Sequence, residues 1–163
     1  MRIQRVSNAT EIREVEKLAS LIWKQHYTPI IGEKQVAFML RKFQSKSAIK
    51  RQMKRGIEYY LFKVSTRYVG YLSIAFEEKN IFLSKIYVDS SYRNQGVATQ
   101  GILYVKKLLR QKRLHTLYLT VNINNNLALK SYEKMGFEKQ GRVVQKIGHG
   151  YIMDDYKMSM RSY

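Results

Sequence analysis

Apolar and polar residues alternate along Ile57 to Val64, Tyr68 to Phe76 and Ile81 to Val88, and this period of two predicts three antiparallel strands. Turns fall at Ser65-Thr66-Arg67 and Glu77 to Asn80. Upstream the period changes: Ile12, Val15, Leu18, Leu21 and Ile22 recur at helical spacing behind a cap at Asn8 or Thr10, so a helix is expected through about Gln25. Pro29 and Gly32 break it. A second helix, about 34–43, turns Val36, Phe38 and Met39 inward, and a third, about 47–55, stops at Gly56. A short strand, Ile3 to Val6, opens the chain. Downstream, Ala98, Ile102, Val105 and Leu109 mark a core-packing helix over about 99–111, and Leu117, Leu119 and Val121 mark another strand. Asn125 caps a helix that Gly136 ends, and strands over about 137–147 and 151–160 close the chain around Gly148-His149-Gly150.

The junction of the third long strand with its following helix carries chemistry. It reads Arg93-Asn94-Gln95-Gly96-Val97-Ala98, with Thr99 next. Closely spaced amides at a helix N-terminus suit phosphate oxygens, because the unpaired N–H groups and the positive end of the helix dipole point the same way. Gly96 lets a ligand approach the backbone, Ala98 keeps bulk away, and Arg93 adds a charge-assisted contact. A phosphorylated cofactor is therefore expected here.

Farther along stands Asn125-Asn126-Leu127-Ala128-Leu129-Lys130-Ser131-Tyr132-Glu133-Lys134-Met135-Gly136-Phe137. The chain here resembles the GNAT family of N-acetyltransferases. The family's cofactor motif is Arg or Gln, two residues, Gly, one residue, Gly or Ala; its following motif, Asn-x-x-Ala-x-x-x-Tyr-x-x-x-Gly-Phe, is matched by Asn125, Ala128, Tyr132, Gly136 and Phe137. The resemblance implies the GNAT acyl-CoA N-acyltransferase fold, an α+β architecture layered α/β/α around a mixed, mostly antiparallel sheet of six to seven strands. It also implies acetyl-CoA as cofactor, with pantetheine along an exposed strand edge at Ile86, Tyr87 and Val88, and pyrophosphate on the amides of Gln95 to Thr99. Tyr132 takes the general-acid position, since a phenol can donate to a departing thiolate. Asn125 is read as helix cap and as a cofactor contact.

The same resemblance places the amine acceptor between the first two helices and the last hairpin. Trp23, His26, Tyr27 and Asp154 are the expected substrate-binding residues, with Pro29, Ile30, Tyr151 and Met153 around them. The base is open. Ser84 stands where many members carry Glu, which leaves Glu77, His149, Asp154 and Asp155 as distant candidates.

Composition narrows the mechanism. Without cysteine there is no covalent thioester route, no disulfide and no thiolate metal site, and three separated histidines suggest no metal centre. At 163 residues, without repeats or a Pro/Gly/Ser linker, a single domain over 1–163 is expected. The opening residues lack a signal-like apolar core and no run is long enough to span a bilayer, so a soluble cytoplasmic protein without a membrane partner is expected, as monomer or homodimer. Net charge is +18. The densest run, Arg41 to Arg55, reads as a solvated helix face, and Lys106, Lys107, Arg110, Lys112 and Arg113 could serve coenzyme A phosphates.

The function expected is acetyl transfer to a primary amine of a small molecule. Acetylation of a protein N-terminus or lysine is the enzymatic alternative, and the charge motivates a non-catalytic nucleic-acid-binding protein as the other.

Overall fold

Asn8 starts the first helix by accepting the Glu11 backbone N–H at 2.9 Å, while the Glu11 carboxylate accepts from Ser7 Oγ at 3.1 Å and Gln4 Nε2 at 2.7 Å. This reciprocal cap ties the helix to the opening strand. The computed structural model describes residues 1–162. Its elements are β1 (Arg2–Arg5), α1 (Ala9–Ile31), α2 (Glu33–Phe43), α3 (Lys46–Lys54), β2 (Glu58–Val64), β3 (Arg67–Phe76), β4 (Asn80–Val88), a short 3-10 turn (Ser90–Tyr92), α4 (Val97–Gln111), β5 (Thr116–Asn122), α5 (Asn126–Lys134), β6 (Glu138–Gly148) and β7 (Tyr151–Arg161).

Two local expectations fail. α1 continues past Gln25 to Ile31 with Pro29 inside its last turn, and stops only at Gly32, whose φ is +87° and whose N–H donates to the Thr28 carbonyl at 3.0 Å. An interior proline costs about 3 kcal/mol, and packing of Tyr27 and Ile31 against the core offsets it. Leu21, read as part of the apolar stripe, is exposed; Ala19 and Trp23 are buried instead.

The strands form one sheet in the order β1-β2-β3-β4-β5-β7-β6. Every pair is antiparallel except β4 with β5. On one face α4 and α5 cover a core built from Phe62, Leu72, Ile74, Ile81, Leu83, Ile102 and Leu117. α1, α2 and α3 cover the other face, over Val15, Ile22, Trp23, Val36, Ile49, Tyr59 and Tyr71. This is the expected α/β/α layering, and seven strands are present among the described residues. Gly101 fixes how closely α4 lies on the sheet, since a Cβ there would sit 2.7 Å from the Phe62 ring. 

The β4/β5 pair positions the site. Its ladder holds only from Asn80 to Phe82 against Thr116 to Tyr118, and beyond that the strands diverge. A bulge lies at the divergence: Ser73 opposes Lys85 and Ile74 opposes Leu83, leaving Ser84 as the extra residue of β4. A bulge bends its strand and switches the side-chain alternation. Ile81 and Leu83 therefore point to the α4 side, and after the bulge Ile86 and Val88 do so, while Tyr87 turns to the α1 side.

Candidate active site

From Leu83 onward β4 has β3 on one side and no strand on the other, so alternate backbone groups of the Ile86–Val88 segment face an open edge that an amide-bearing ligand could pair with, the Val88 carbonyl accepting from Arg93 Nε at 3.4 Å. The chain then turns through residues 90–92 and reaches the loop before α4. Asn94 and Gly96 both adopt positive φ, +60° and +78°, on either side of Gln95. Such a turn gathers successive amides around an anion. Gly96 is the N-cap of α4 and offers no side-chain cap; the first N–H with a helical partner is that of Gln100, to the Gly96 carbonyl at 2.9 Å. The amides of Val97, Ala98 and Thr99 precede it and have no helical acceptor. Arg93, Asn94, Gln95 and Gly96 are exposed, and no atom lies within 4 Å of where a Gly96 Cβ would stand. The loop has room for a phosphate group beside its amides. Lys106 and the basic residues after it do not belong to this cradle: at 1.5 Å per residue, Lys106 lies about 14 Å along the helix from Val97.

Tyr132 comes from α5 and meets Phe137 edge-on, with ring centroids 5.6 Å apart. Its hydroxyl makes no hydrogen bond among the described residues. Burial raises its pKa and Tyr27 raises it further, so the phenol keeps its proton at neutral pH. Tyr27 and Tyr87 share a hydroxyl–hydroxyl bond of 2.8 Å, and Tyr132 adds to the raised pKa of Tyr87. Burial pushes Tyr27 up to about 12 despite that bond, and the charge of Asp155 adds to the shift. The three phenols and Asp155 thus gather around the opening between β4 and β5.

Asn125 holds His26. Its Oδ1 accepts the Ala128 N–H at 3.3 Å, as the cap requires, which turns Nδ2 toward His26 Nε2 at 2.8 Å. The imidazole nitrogen must then be the acceptor. Burial, followed by the charge of Arg93, lowers the His26 pKa, in keeping with a neutral ring. Both ends of the Asn125 amide are occupied by the protein itself.

Two of the expected substrate contacts need correction. Trp23 is 3% exposed and lies behind Tyr27 and Tyr87, with centroids 5.6 and 5.4 Å away, so it supports the site from the core and does not wall it. Asp154 is held by Arg142 of β6 through a bidentate ion pair that lowers its pKa. The neighbouring Asp155 points to the other face of the sheet, is 7% exposed, and has its pKa raised to about 6 by burial first and by Asp154 next, against a hydrogen bond from Thr120. Two adjacent aspartates could not be told apart from the sequence, because strand alternation gives opposite faces but not which is which. His149 and Glu77 lie elsewhere: His149 packs edge-on to Phe38 at 4.8 Å, and Glu77 accepts from the Tyr118 hydroxyl. A cavity of about 660 Å³ lined by Arg110, Arg113, His115 and Arg161 sits at the opposite, paired end of β5 and shares no residue with this site.

The family model described as acetyltransferase (GNAT) family matches residues 16–137. No curated protein matches the sequence. Among solved structures, the chain is similar to the PaiA N-acetyltransferase of Thermoplasma acidophilum in complex with coenzyme A (18% identity, 99% of each chain covered, TM-score 0.81). It is similar also to the ribosomal-protein-S18-alanine N-acetyltransferase of Escherichia coli (14% identity, covering 99% of this chain and 93% of that one, TM-score 0.73). A third is the aminoglycoside 6'-acetyltransferase type Ii (17% identity, covering 100% and 98%, TM-score 0.72). At these identities the likeness is one of fold.

Proposed function

The chain belongs to the acetyltransferase (GNAT) family, and on that premise we propose that it moves an acetyl group from acetyl-CoA to a primary amine of a small molecule by direct transfer. The observation that carries this reading is Tyr132, a protonated and uncommitted phenol beside the open β4 edge, close to Tyr27 and Tyr87. Acetyl-CoA, when bound, supplies an activated thioester. The residues present suit it: amides of Val97 to Thr99 with Arg93 beside them for the pyrophosphate, and the unpaired Ile86–Val88 edge for the pantetheine amides.

Each residue then has a task. A backbone N–H of the Ile86–Val88 segment faces the charge that develops on the carbonyl oxygen. Asp155, ionised above about pH 6, draws an ammonium into the site and takes up its proton through water, so that a neutral amine attacks. Tyr132 holds its proton at the phenol oxygen for the departing sulfur. Tyr27 and His26 line the approach. A buried carboxylate at the foot of the site fits an amine that enters whole, which favours a small molecule over a protein chain. CoA release measured side by side with small primary amines and with short peptides tests that preference: small amines are expected to be turned over faster, and peptides alone being acetylated would move the reading to a protein acceptor.

Asp155 makes two measurable statements. Activity should rise with pH through about 6 as its carboxylate forms, and Asp155→Asn should flatten that limb and lower kcat/KM by about tenfold. The limb should persist in His26→Gln. Stability should move the other way. The folded pKa lies above the usual 3.8, so the fold favours the protonated acid; this contribution is present at low pH and is lost as pH rises through about 6. Asp155→Asn is therefore expected to raise Tm at pH 8 while it lowers activity, whereas a residue kept only for packing would lose both.

Charge contributes through the approach of the cofactor. Arg41, Lys42, Lys50, Arg51, Lys54 and Arg55 are exposed on α2, α3 and the residue after it, and none joins an ion pair among the described residues. They lie on the opposite face of the sheet from α4, farther than a screening length of about 8 Å at physiological salt. Stopped-flow association of acetyl-CoA should slow with ionic strength, and Arg93→Gln should flatten that dependence. Neutralising Lys50, Arg51, Lys54 and Arg55 together should leave the slope nearly unchanged; a flattened slope in that variant would assign the steering to α3.

A further inference from the structure

Lys85 is a cation that the proposed chemistry leaves unused. It follows the β4 bulge, on the same face as Tyr87 and Asp155, immediately before the strand edge proposed to hold the thioester arm. Its Nζ donates to Ser84 Oγ at 3.1 Å and stands 5.9 Å from the centroid of the Tyr59 ring. No carboxylate reaches it among the described residues. Burial accordingly depresses its pKa to about 8. Directly across the strand pair is Ser73, fully buried, whose hydroxyl has no hydrogen-bond partner. The Tyr59 hydroxyl, from the residue paired with Ser73 on β2, is already engaged, donating to Gln52 Oε1 at 2.5 Å and accepting from Gln44 Nε2 at 3.0 Å.

A half-buried cation without an acid and a buried hydroxyl without a partner, on residues paired across β3 and β4, are each costly, and one group relieves both. That group is an anion with two oxygens, one accepting from Lys85 Nζ and the other from Ser73 Oγ. We propose that Lys85 and Ser73 form a subsite for a carboxylate carried by the acceptor, so that the acceptor is an amino acid-like small molecule with its amine toward Asp155 and its acid toward β4. This rests on the acetyl-transfer reading above for the identity of the ligand, but not for the existence of the subsite. Two donors match the two oxygens of a carboxylate; a phosphate would bring more acceptors than the subsite has donors.

The test uses protein labelled with 13C and 15N in its lysines, followed by NMR during titration with propionate and, separately, with inorganic phosphate at fixed ionic strength. Lys85→Met identifies the Lys85 signal by its absence and removes a half-buried cation with the loss of one chain atom; Lys85→Arg, which keeps the charge, should keep the parent's preference between the two amines named below. The expected result is a Lys85 signal that moves and saturates with propionate and not with phosphate. A response to phosphate alone would replace the carboxylate by a phosphorylated acceptor, and no response to either would overturn the subsite. In parallel, CoA release is measured with β-alanine and with propylamine. Lys85→Met should shift the ratio of their KM values at least tenfold toward propylamine. If no amine at all releases CoA, acetyl transfer is the reading that falls, while the propionate titration still decides the subsite.

Discussion

Tyr132→Phe is expected to lower turnover by about 10² or more while leaving acetyl-CoA affinity nearly unchanged. The substitution keeps the ring that packs against Phe137 and removes the proton that the proposed mechanism gives to the leaving sulfur. A thiolate can leave without help, so the effect is bounded by what general acid catalysis supplies, typically 10²–10⁴-fold. The bond between Tyr27 and Tyr87 uses one of their two hydroxyl protons, and the chain has no cysteine to carry the acetyl group in a covalent intermediate. Parallel calorimetry of acetyl-CoA binding separates chemistry from binding. If the variant turns over like the parent, the proton comes from water or from the amine, and Tyr132 serves packing alone.

Gly96→Val should weaken acetyl-CoA binding by at least about tenfold, through two separable causes. Valine is strained at φ +78°, where Gly96 caps α4, so the turn that gathers the amides would distort. Its side chain would also project into the space a phosphate needs, since nothing of the protein lies within 4 Å of the added Cβ. Gly96→Asn separates the two, because asparagine tolerates the left-handed conformation. It should keep the thermal stability of the parent and still lose affinity for acetyl-CoA. Full affinity in both variants would move the pyrophosphate site away from residues 95–99.

Much of this architecture was legible in the sequence, for identifiable reasons. Ile57–Val64, Tyr68–Phe76 and Ile81–Val88 gave the meander because each is a short apolar and aromatic run bounded by turns, although helices cover both faces of the sheet and β2 and β3 are buried on both. Asn125 marked a helix start because its side chain accepts a backbone N–H of the first turn, that of Ala128, whereas the start of α4 at Val97 falls two residues before the expected Thr99. The exposed edge of β4 was different. It came from the family resemblance, since a bulge at Ser84 leaves no signature in a run that alternates well on both sides of it. The run of α1 past Pro29 was hidden because local cost was visible and the packing of Tyr27 and Ile31 was not. His26 held by Asn125 joins residues 99 positions apart, and no spacing rule connects them. Lys85 looked like one more member of a basic chain; only the fold shows that this cation, unlike those of α3, is turned inward without an acid.

Direct transfer to an amine is tested most plainly by stoichiometry. The protein is incubated with acetyl-CoA and a panel of primary amines that includes β-alanine and propylamine, and free CoA thiol and N-acetylated product are quantified in the same samples. The expected result is equal amounts of the two for at least one small amine, formed at a rate that depends on Tyr132. CoA release no faster than in protein-free buffer for every amine, or release without any N-acetylated product, would contradict it.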